Sequence, residues 1–333
     1  MGKINMISII ISVHNSEKYL MECLDSLVKQ TFKDFECICV IDSSGDNSLV
    51  ILRKYAGKDK RFIIIEKSSG TISASRNAGL AAAKGEFVYF IDSDDYITED
   101  YLDGLYKVAS DTKSSIVVNP DIILVYPAMQ KIMPEINYAQ TTYSITPKTL
   151  PEITGKVYLW NRLFKTSFLK SIDLKFPDIR MAEDLYLYYC LMPLAGEISI
   201  SRQGRYFYRQ SQEQATRVFT NKTQDFFTNT YNLIKDFYRK NGLEREWQIP
   251  IYCLSYQFRY NLSAKTFRYD YENIRAAVKD TVIHKNLLSK AEKSFIKALN
   301  RGYVYCFITI YLKITAVNFI KSVFRPFLYL RRK

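Results

Sequence analysis

The chain has 333 residues, 47% of them hydrophobic, enough for one large or two modest domains with real cores. Its formal net charge of +13 implies attraction to something anionic: nucleic acid, a phosphorylated substrate or a membrane surface. The six cysteines are scattered without CxxC pairing, which argues against a cysteine metal site and fits reduced core residues in a cytosolic protein.

The first apolar run, Met6–Val13, has the length of a strand and stops at His14-Asn15, so it reads as no signal peptide. No uninterrupted apolar stretch is long enough to span a bilayer. Residues 7–13, ISIIISV, are β-branched and predict a first strand. Asn15-Ser16 then offers a cap. Leu20, Cys23, Leu24, Leu27 and Val28 follow at helical spacing. A second strand is expected over Phe35–Ile41, ending at Asp42. A turn at Ser43–Asn47 leads to a helix over Ser48–Tyr55. A third strand covers Phe62–Ile65, and a third helix Thr71–Lys84 closes at Gly85.

Next comes EFVYFIDSDDY, Glu86–Tyr96. Phe87–Ile91 reads as a buried strand, and three carboxylates, Asp92, Asp94 and Asp95, follow within four residues. Such crowding is costly unless something positive sits there. A hard divalent cation, Mg²⁺ or Mn²⁺, takes oxygen ligands and leaves room for phosphate oxygens. An acidic turn with a helix cap is the plainer alternative.

Alternating β and α elements argue for a parallel sheet with helices on both faces. Ligands of such sheets lie beyond the carboxyl ends of the strands. Ser12-Val13-His14-Asn15, Asp42 and Asp92–Asp95 all fall on that edge.

The run from ISIIISVHNSEKYL through SASRNAGLAAAKGEFVYFIDSDDYI resembles the family 2 glycosyltransferases with a GT-A fold. The likeness covers residues ~5–105 closely, with looser marks to about residue 215; several motifs fall in family order and spacing. It implies an α/β fold, Rossmann-like, with a mixed, mainly parallel sheet flanked by helices. It also implies a nucleotide-sugar donor, usually a UDP-sugar, an Mn²⁺ or Mg²⁺ ion, and inversion at the anomeric carbon. By the same resemblance Ser12, His14 and Glu17 border the donor base and ribose, where the family usually has Pro and Tyr in place of Ser12 and His14. Asp42 matches the acid that bonds the base, with Ser43 where a second Asp is common. Arg76 and Asn77 match the helix that faces the diphosphate, a placement that suits dipole and charge. Asp94 is expected on the metal, Asp92 on the ribose or metal, and Asp95 completes the acidic triplet.

Tyr101–Ala109 predicts a helix, and Ser115–Val118 and Ile122–Val125 predict strands. Pro127–Pro151 is weakly patterned and reads as a loop or flap over the acceptor. Trp160 opens an aromatic-Asn-basic stretch; core is the commoner fate of a Trp, and stacking on a sugar is the alternative. Met181–Leu185 opens a helix that runs through Met192. Its Glu183-Asp184 pair sits well on a helix dipole. In the resembled family the Asp of such a pair is the general base, and Asp184 matches it. Glu183 is then expected to orient an acceptor hydroxyl or a basic partner. Arg209, in Tyr206-Phe207-Tyr208-Arg209, is expected to pair with the diphosphate or with Glu183.

The chain thus divides into a catalytic domain, 1–215, and a basic, aromatic-rich helical region, 216–333. The catalytic domain splits into a nucleotide-sugar half, 1–110, and an acceptor half, 111–215. Residues 301–333 hold seven basic and no acidic residues, a pattern that suits an anionic membrane interface. A core-docking helix or a homo-oligomer contact is the other use of that tail. No nucleic-acid module accompanies the charge. The expectation is a glycosyltransferase at the cytoplasmic face of a membrane, acting on a glycan or lipid-linked acceptor. A catalytically inactive nucleotide-sugar-binding scaffold and a nucleotidyltransferase are the alternatives, the latter lacking its Gly-rich phosphate loop.

Overall fold

A computed structural model of the protein describes residues 6–68, 70–112, 114–133, 140–146, 158–173, 175–179, 182–210, 226–247, 254, 264–279 and, apart from 282, 285 and 289, residues 281–306. Most of the basic tail, 307–333, and the parts 134–139 and 147–151 of the expected flap lie outside the described residues. The chain divides into two compact units, Met1–Gln214 and Ala215–Lys333.

The first unit is built on β1 (Ile7–Val13), whose isoleucines are buried on both faces. It pairs in parallel with β2 (Phe35–Asp42) on one side and β4 (Phe87–Asp92) on the other. β3 (Phe62–Lys67) adds to β2, again in parallel. Near-continuous apolar runs are what a parallel sheet covered on both faces requires. The crossovers are α1 (Glu17–Val28), α2 (Ser48–Ala56) and α3 (Ile72–Ala82). α1 buries Leu20, Cys23, Leu24 and Leu27, the stripe its spacing predicts. Thr71 caps α3 by accepting a hydrogen bond from Ala74 N at 3.2 Å.

β5 (Tyr96–Ile97) and α4 (Tyr101–Thr112) come next. The chain continues through β6 (Ile116–Val118), β7 (Ile122–Tyr126), β8 (Met129–Ile132), β9 (Thr142–Ser144) and β10 (Arg162–Lys165). It closes with α5 (Thr166–Ser171), α6 (Glu183–Ala195), β11 (Glu197–Ile200) and β12 (Tyr206–Arg209). The main sheet has strand order β3-β2-β1-β4-β10-β6-β11-β9, and a second, smaller sheet runs β5-β12-β7-β8. β10 is antiparallel to β4, so the sheet turns from parallel to mixed there.

Two expectations are corrected. The stretch 127–151 is not all loop, since it contains β8 and β9. β8 is an edge strand whose residues are all exposed, so no burial pattern betrays it. It forms a tight hairpin with β7, pairing Tyr126 with Met129 across two residues. Gly85 does not close α3, which ends at Ala82. Its smallness serves close packing: a Cβ there would lie 2.6 Å from both Met6 O and Ser8 N. Trp160 takes the core role, 2% exposed and stacked between Tyr158 (4.5 Å) and Tyr206 (4.1 Å).

The second unit is helical in its described residues: α7 (Phe226–Lys240), α8 (Ala264–Lys279), α9 (Lys290–Asn300) and α10 (Tyr303–Cys306). Tyr231 Oη donates to Thr281 Oγ1 at 2.9 Å, and Tyr271 Oη to Leu299 O at 3.2 Å. No helix among the described residues is long and apolar enough to cross a membrane.

Gly85→Ala forces a methyl against main-chain atoms that have no rotamer to yield. It should cost about 1–3 kcal/mol, the usual price of overpacking, read as a lowered melting temperature.

Candidate active site

The carboxyl ends of β1, β2 and β4 bring His14, Asp42 and Asp92 to one edge, as a parallel sheet demands. His14 Nδ1 donates to Asp42 O at 2.8 Å, and its Nε2 accepts from Asn15 Nδ2 at 3.1 Å. Both ring nitrogens are therefore committed, and the ring face is what His14 has left to offer a ligand. Asp42 Oδ2 accepts from Gly70 N at 2.6 Å and ties the loop before α3 to the strand end. The Glu17 carboxylate accepts from Asn47 N (3.1 Å) and Asn47 Nδ2 (2.7 Å), so it braces the turn after β2. Ser12 Oγ is buried and has no hydrogen-bond partner among the described residues.

The acidic turn after β4 is pinned from several sides. Ser93 Oγ and Ser16 Oγ share a hydrogen bond of 2.7 Å. Asp95 is 1% exposed, and both of its oxygens are used. Oδ2 accepts from Tyr206 Oη at 2.6 Å, and Oδ1 from Arg209 N at 2.8 Å. Asp95 is thus an anchor of the turn, and the expectation that it holds a metal does not fit this geometry. Arg209 Nε donates to Asp94 O at 2.8 Å. Its guanidinium pairs with Glu22 and lies 4.2 Å from the Tyr19 ring. It pairs with Glu22, and not with Glu183.

Arg76 differs most from expectation. Its side chain is 5% exposed and is spent on three carboxylates. Nη2 reaches Asp92 Oδ1 at 3.1 Å, while Nη1 reaches Glu183 Oε1 and Asp184 Oδ1, each at 2.9 Å. It is a clamp between β4 and α6, and no longer an arginine waiting for a diphosphate. Asn77 is spent as well: Nδ2 donates to Phe176 O at 2.8 Å, and Oδ1 accepts from Phe176 N at 2.9 Å. Its amide fixes the segment before α6. Ala182, just before the acid pair, takes a left-handed φ of 66°, a conformation that costs a non-glycine residue about 1 kcal/mol.

The crevice holds more negative charge than its arginines balance. Burial and the nearby Asp92 push the Asp94 carboxyl up to about 6. Burial, Glu183 and Asp92 outweigh Arg76 and push Asp184 up to about 7. Leu159 N–H also donates to the Asp184 carboxylate. Asp95 is raised by burial and by its two acidic neighbours. Excess carboxylate beside a strand end is the electrostatic signature of a cation site. Asp92, 31% exposed, and Asp94 fit a divalent ion. Among the described residues no group of three such side chains is placed to hold a metal by itself.

Sequence reasoning placed the acids but missed their supports. Glu22 and Ser93 carry no local signal, and neither the cap position of Ser16 nor the aromatic stretch of Tyr206 reveals the bonds to Ser93 and Asp95 that pairing across the fold gives them.

Comparison with known proteins follows the same lines. The sequence model for glycosyl transferase family 2 matches residues 8–169. Putative glycosyltransferase EpsH of Bacillus subtilis is 30% identical over 250 residues, 73% of this chain and 72% of that protein. The poly(ribitol-phosphate) beta-glucosyltransferase of Bacillus spizizenii is 36% identical over 213 residues, 61% of this chain but 32% of that protein. Staphylococcus aureus TarS 1-349, solved in complex with UDP-GlcNAc, shares the fold with a TM-score of 0.69 at 22% identity, over 93% of this chain and 90% of that one. The strand order, the mixed extension and this likeness define a GT-A fold. The chain belongs to glycosyl transferase family 2 and is a glycosyltransferase.

Arg76→Gln would leave three carboxylates facing one another without their cation. Removing one partner from a buried ionic cluster costs about 3–5 kcal/mol. The raised Asp184 carboxyl means the folded chain binds a proton the unfolded chain releases, so that contribution is full at low pH and lost as pH rises toward 7. Without Arg76 the acids repel more, and the drop in melting temperature should grow as the pH is raised from acidic to neutral. A deficit independent of pH would contradict this account.

Proposed function

We propose that the chain transfers a sugar, hexosyl or N-acetylhexosaminyl, from a UDP-sugar to a hydroxyl of a glycan acceptor, with inversion, in cell-surface polysaccharide synthesis. The observation that carries this reading is the Arg76 clamp, which holds Asp184 and Asp92 on one guanidinium. It sets the acid of α6 beside the acid of the β4 end. That is the arrangement a single in-line displacement needs.

In the proposed step Asp184 accepts the proton of the acceptor hydroxyl. The freed oxygen forms the bond to the anomeric carbon. The bond from that carbon to the diphosphate oxygen breaks, and the electron pair leaves with the nucleotide. Arg76 occupies Oδ1 of Asp184 and fixes the carboxylate's orientation. A carboxyl raised to about 7 is a better proton acceptor than an ordinary aspartate. Glu183 shares the same nitrogen of Arg76 and would steady the pair. Asp92 and Asp94 would hold Mn²⁺ or Mg²⁺, which supplies charge for the departing diphosphate. His14 would lie face-on to the base, with Asp42 beneath it. A relative's name supports a polymeric acceptor: it is a poly(ribitol-phosphate) beta-glucosyltransferase. A lipid-linked acceptor and a peripheral seat on the inner face of the membrane belong to this reading.

Asp184→Asn should leave UDP-sugar affinity near wild type while single-turnover transfer falls about 10²–10⁴-fold. Transfer near the wild-type rate would remove Asp184 as the base. The wild-type rate should also fall on acidification with an apparent pKa near 7, since only the ionised carboxylate accepts the proton.

Asp94→Asn should abolish metal-dependent UDP binding in calorimetry without lowering the melting temperature. Replacing this partly buried acid by its amide relieves repulsion from Asp92. Unchanged Mn²⁺-dependent binding would mean the metal assignment is wrong.

A further inference from the structure

The net charge of +13 is not spread over the chain. Residues 1–214 carry 25 basic and 26 acidic side chains; residues 215–333 carry 22 basic and only 8 acidic. The second unit holds the whole excess. Part of that excess is ordered on α9. Lys290, Lys293 and Lys297 are exposed and recur at i, i+3 and i+7, and Arg301 continues the row just past the helix end. At 1.5 Å per residue the row is about 16 Å long. The opposite side of the helix is core, with Phe295, Ala298 and Leu299 buried. The helix's one acid, Glu292, is 7% exposed and lies on that buried side. No acid of α9 therefore interrupts the ladder.

We propose that the exposed face of α9 is a docking surface for a linear polyanion, a phosphodiester-linked polyol or sugar-phosphate polymer, and that this polymer is the acceptor. Calling it the acceptor rests on the transfer reaction proposed above; the docking surface does not. A polymer with a charge at every repeat matches a row of evenly spaced cations, each releasing counterions as it binds. A membrane partner asks for something else, apolar or aromatic side chains beside the cations to enter the lipid. No large hydrophobic side chain is exposed among the described residues of this unit. On the described face of α9, charge without an apolar edge favours a phosphate polymer over a lipid surface.

The test uses the full chain and the triple variant Lys290→Gln, Lys293→Gln, Lys297→Gln. The probe is long-chain inorganic polyphosphate, titrated at several salt concentrations. The wild type should bind it, and the variant about tenfold or more weakly. The slope of log K against log salt should fall by about 2, the worth of three lost phosphate contacts on a single strand. The matching Lys→Arg triple variant should restore binding, because it keeps the charge. Equal binding by wild type and glutamine variant overturns the proposal. So does a melting temperature lowered alike in both variants, which would make the lysines structural. Phosphatidylglycerol vesicles bound through these lysines and not displaced by polyphosphate would assign the face to a membrane instead. Single-stranded DNA bound more than tenfold tighter than polyphosphate would assign it to nucleic acid. UDP-sugar hydrolysis, measured on the same preparations, should be equal in all three chains. Its absence from every chain would sink the transfer reaction and leave the polyphosphate result standing.

Discussion

One guanidinium organises the catalytic half of this protein. Arg76 leaves α3, is 5% exposed, and meets Asp92 from β4 and Glu183 and Asp184 from α6 within 2.9–3.1 Å. Three carboxylates brought that close without a cation would repel and take up protons. Even with Arg76 in place, burial first and then Glu183 and Asp92 keep the Asp184 carboxyl raised. The clamp therefore does two things at once. It joins the acid pair of α6 to the acid at the end of β4, and it offsets part of their negative charge.

The acidic turn is held by a second device of the opposite kind. Asp95 is not offered to a ligand. It is sunk into the core, with Tyr206 Oη on one oxygen and Arg209 N on the other. Tyr206 is itself stacked on Trp160, which stacks on Tyr158. A rigid aromatic column thus ends in a hydrogen bond to the turn. The turn that carries Asp92 and Asp94 is therefore held from the core.

The two units divide the electrostatic labour. The unit that carries the acidic crevice is close to neutral, and the helical unit carries the positive excess. Carboxylates gathered in a crevice repel a polyanion, whereas a row of exposed lysines such as that on α9 attracts one.

The sequence by itself determined the alternation of strands and helices, because burial on both faces writes itself as β-branched runs such as Ile7–Val13. It determined α1 by its 3.6-residue stripe, and the acidic turn by its composition. It also placed Asp42, Asp92, Asp94 and the Glu183-Asp184 pair at element ends, where local pattern carries position. β8 left no trace, since an exposed edge strand has no period to read. The uses of Arg76, Asn77, Asp95 and Arg209 were decided only by tertiary structure. Local pattern points Arg76, Asn77 and Asp95 at a ligand and leaves Arg209 between the diphosphate and Glu183, yet all four are committed to partners 16 to 187 residues away in the chain. A charged or amide side chain looks the same in sequence whether it waits for a ligand or is already satisfied by the fold. Which it does depends on what the folded chain sets within hydrogen-bond reach, and no local pattern contains that distance.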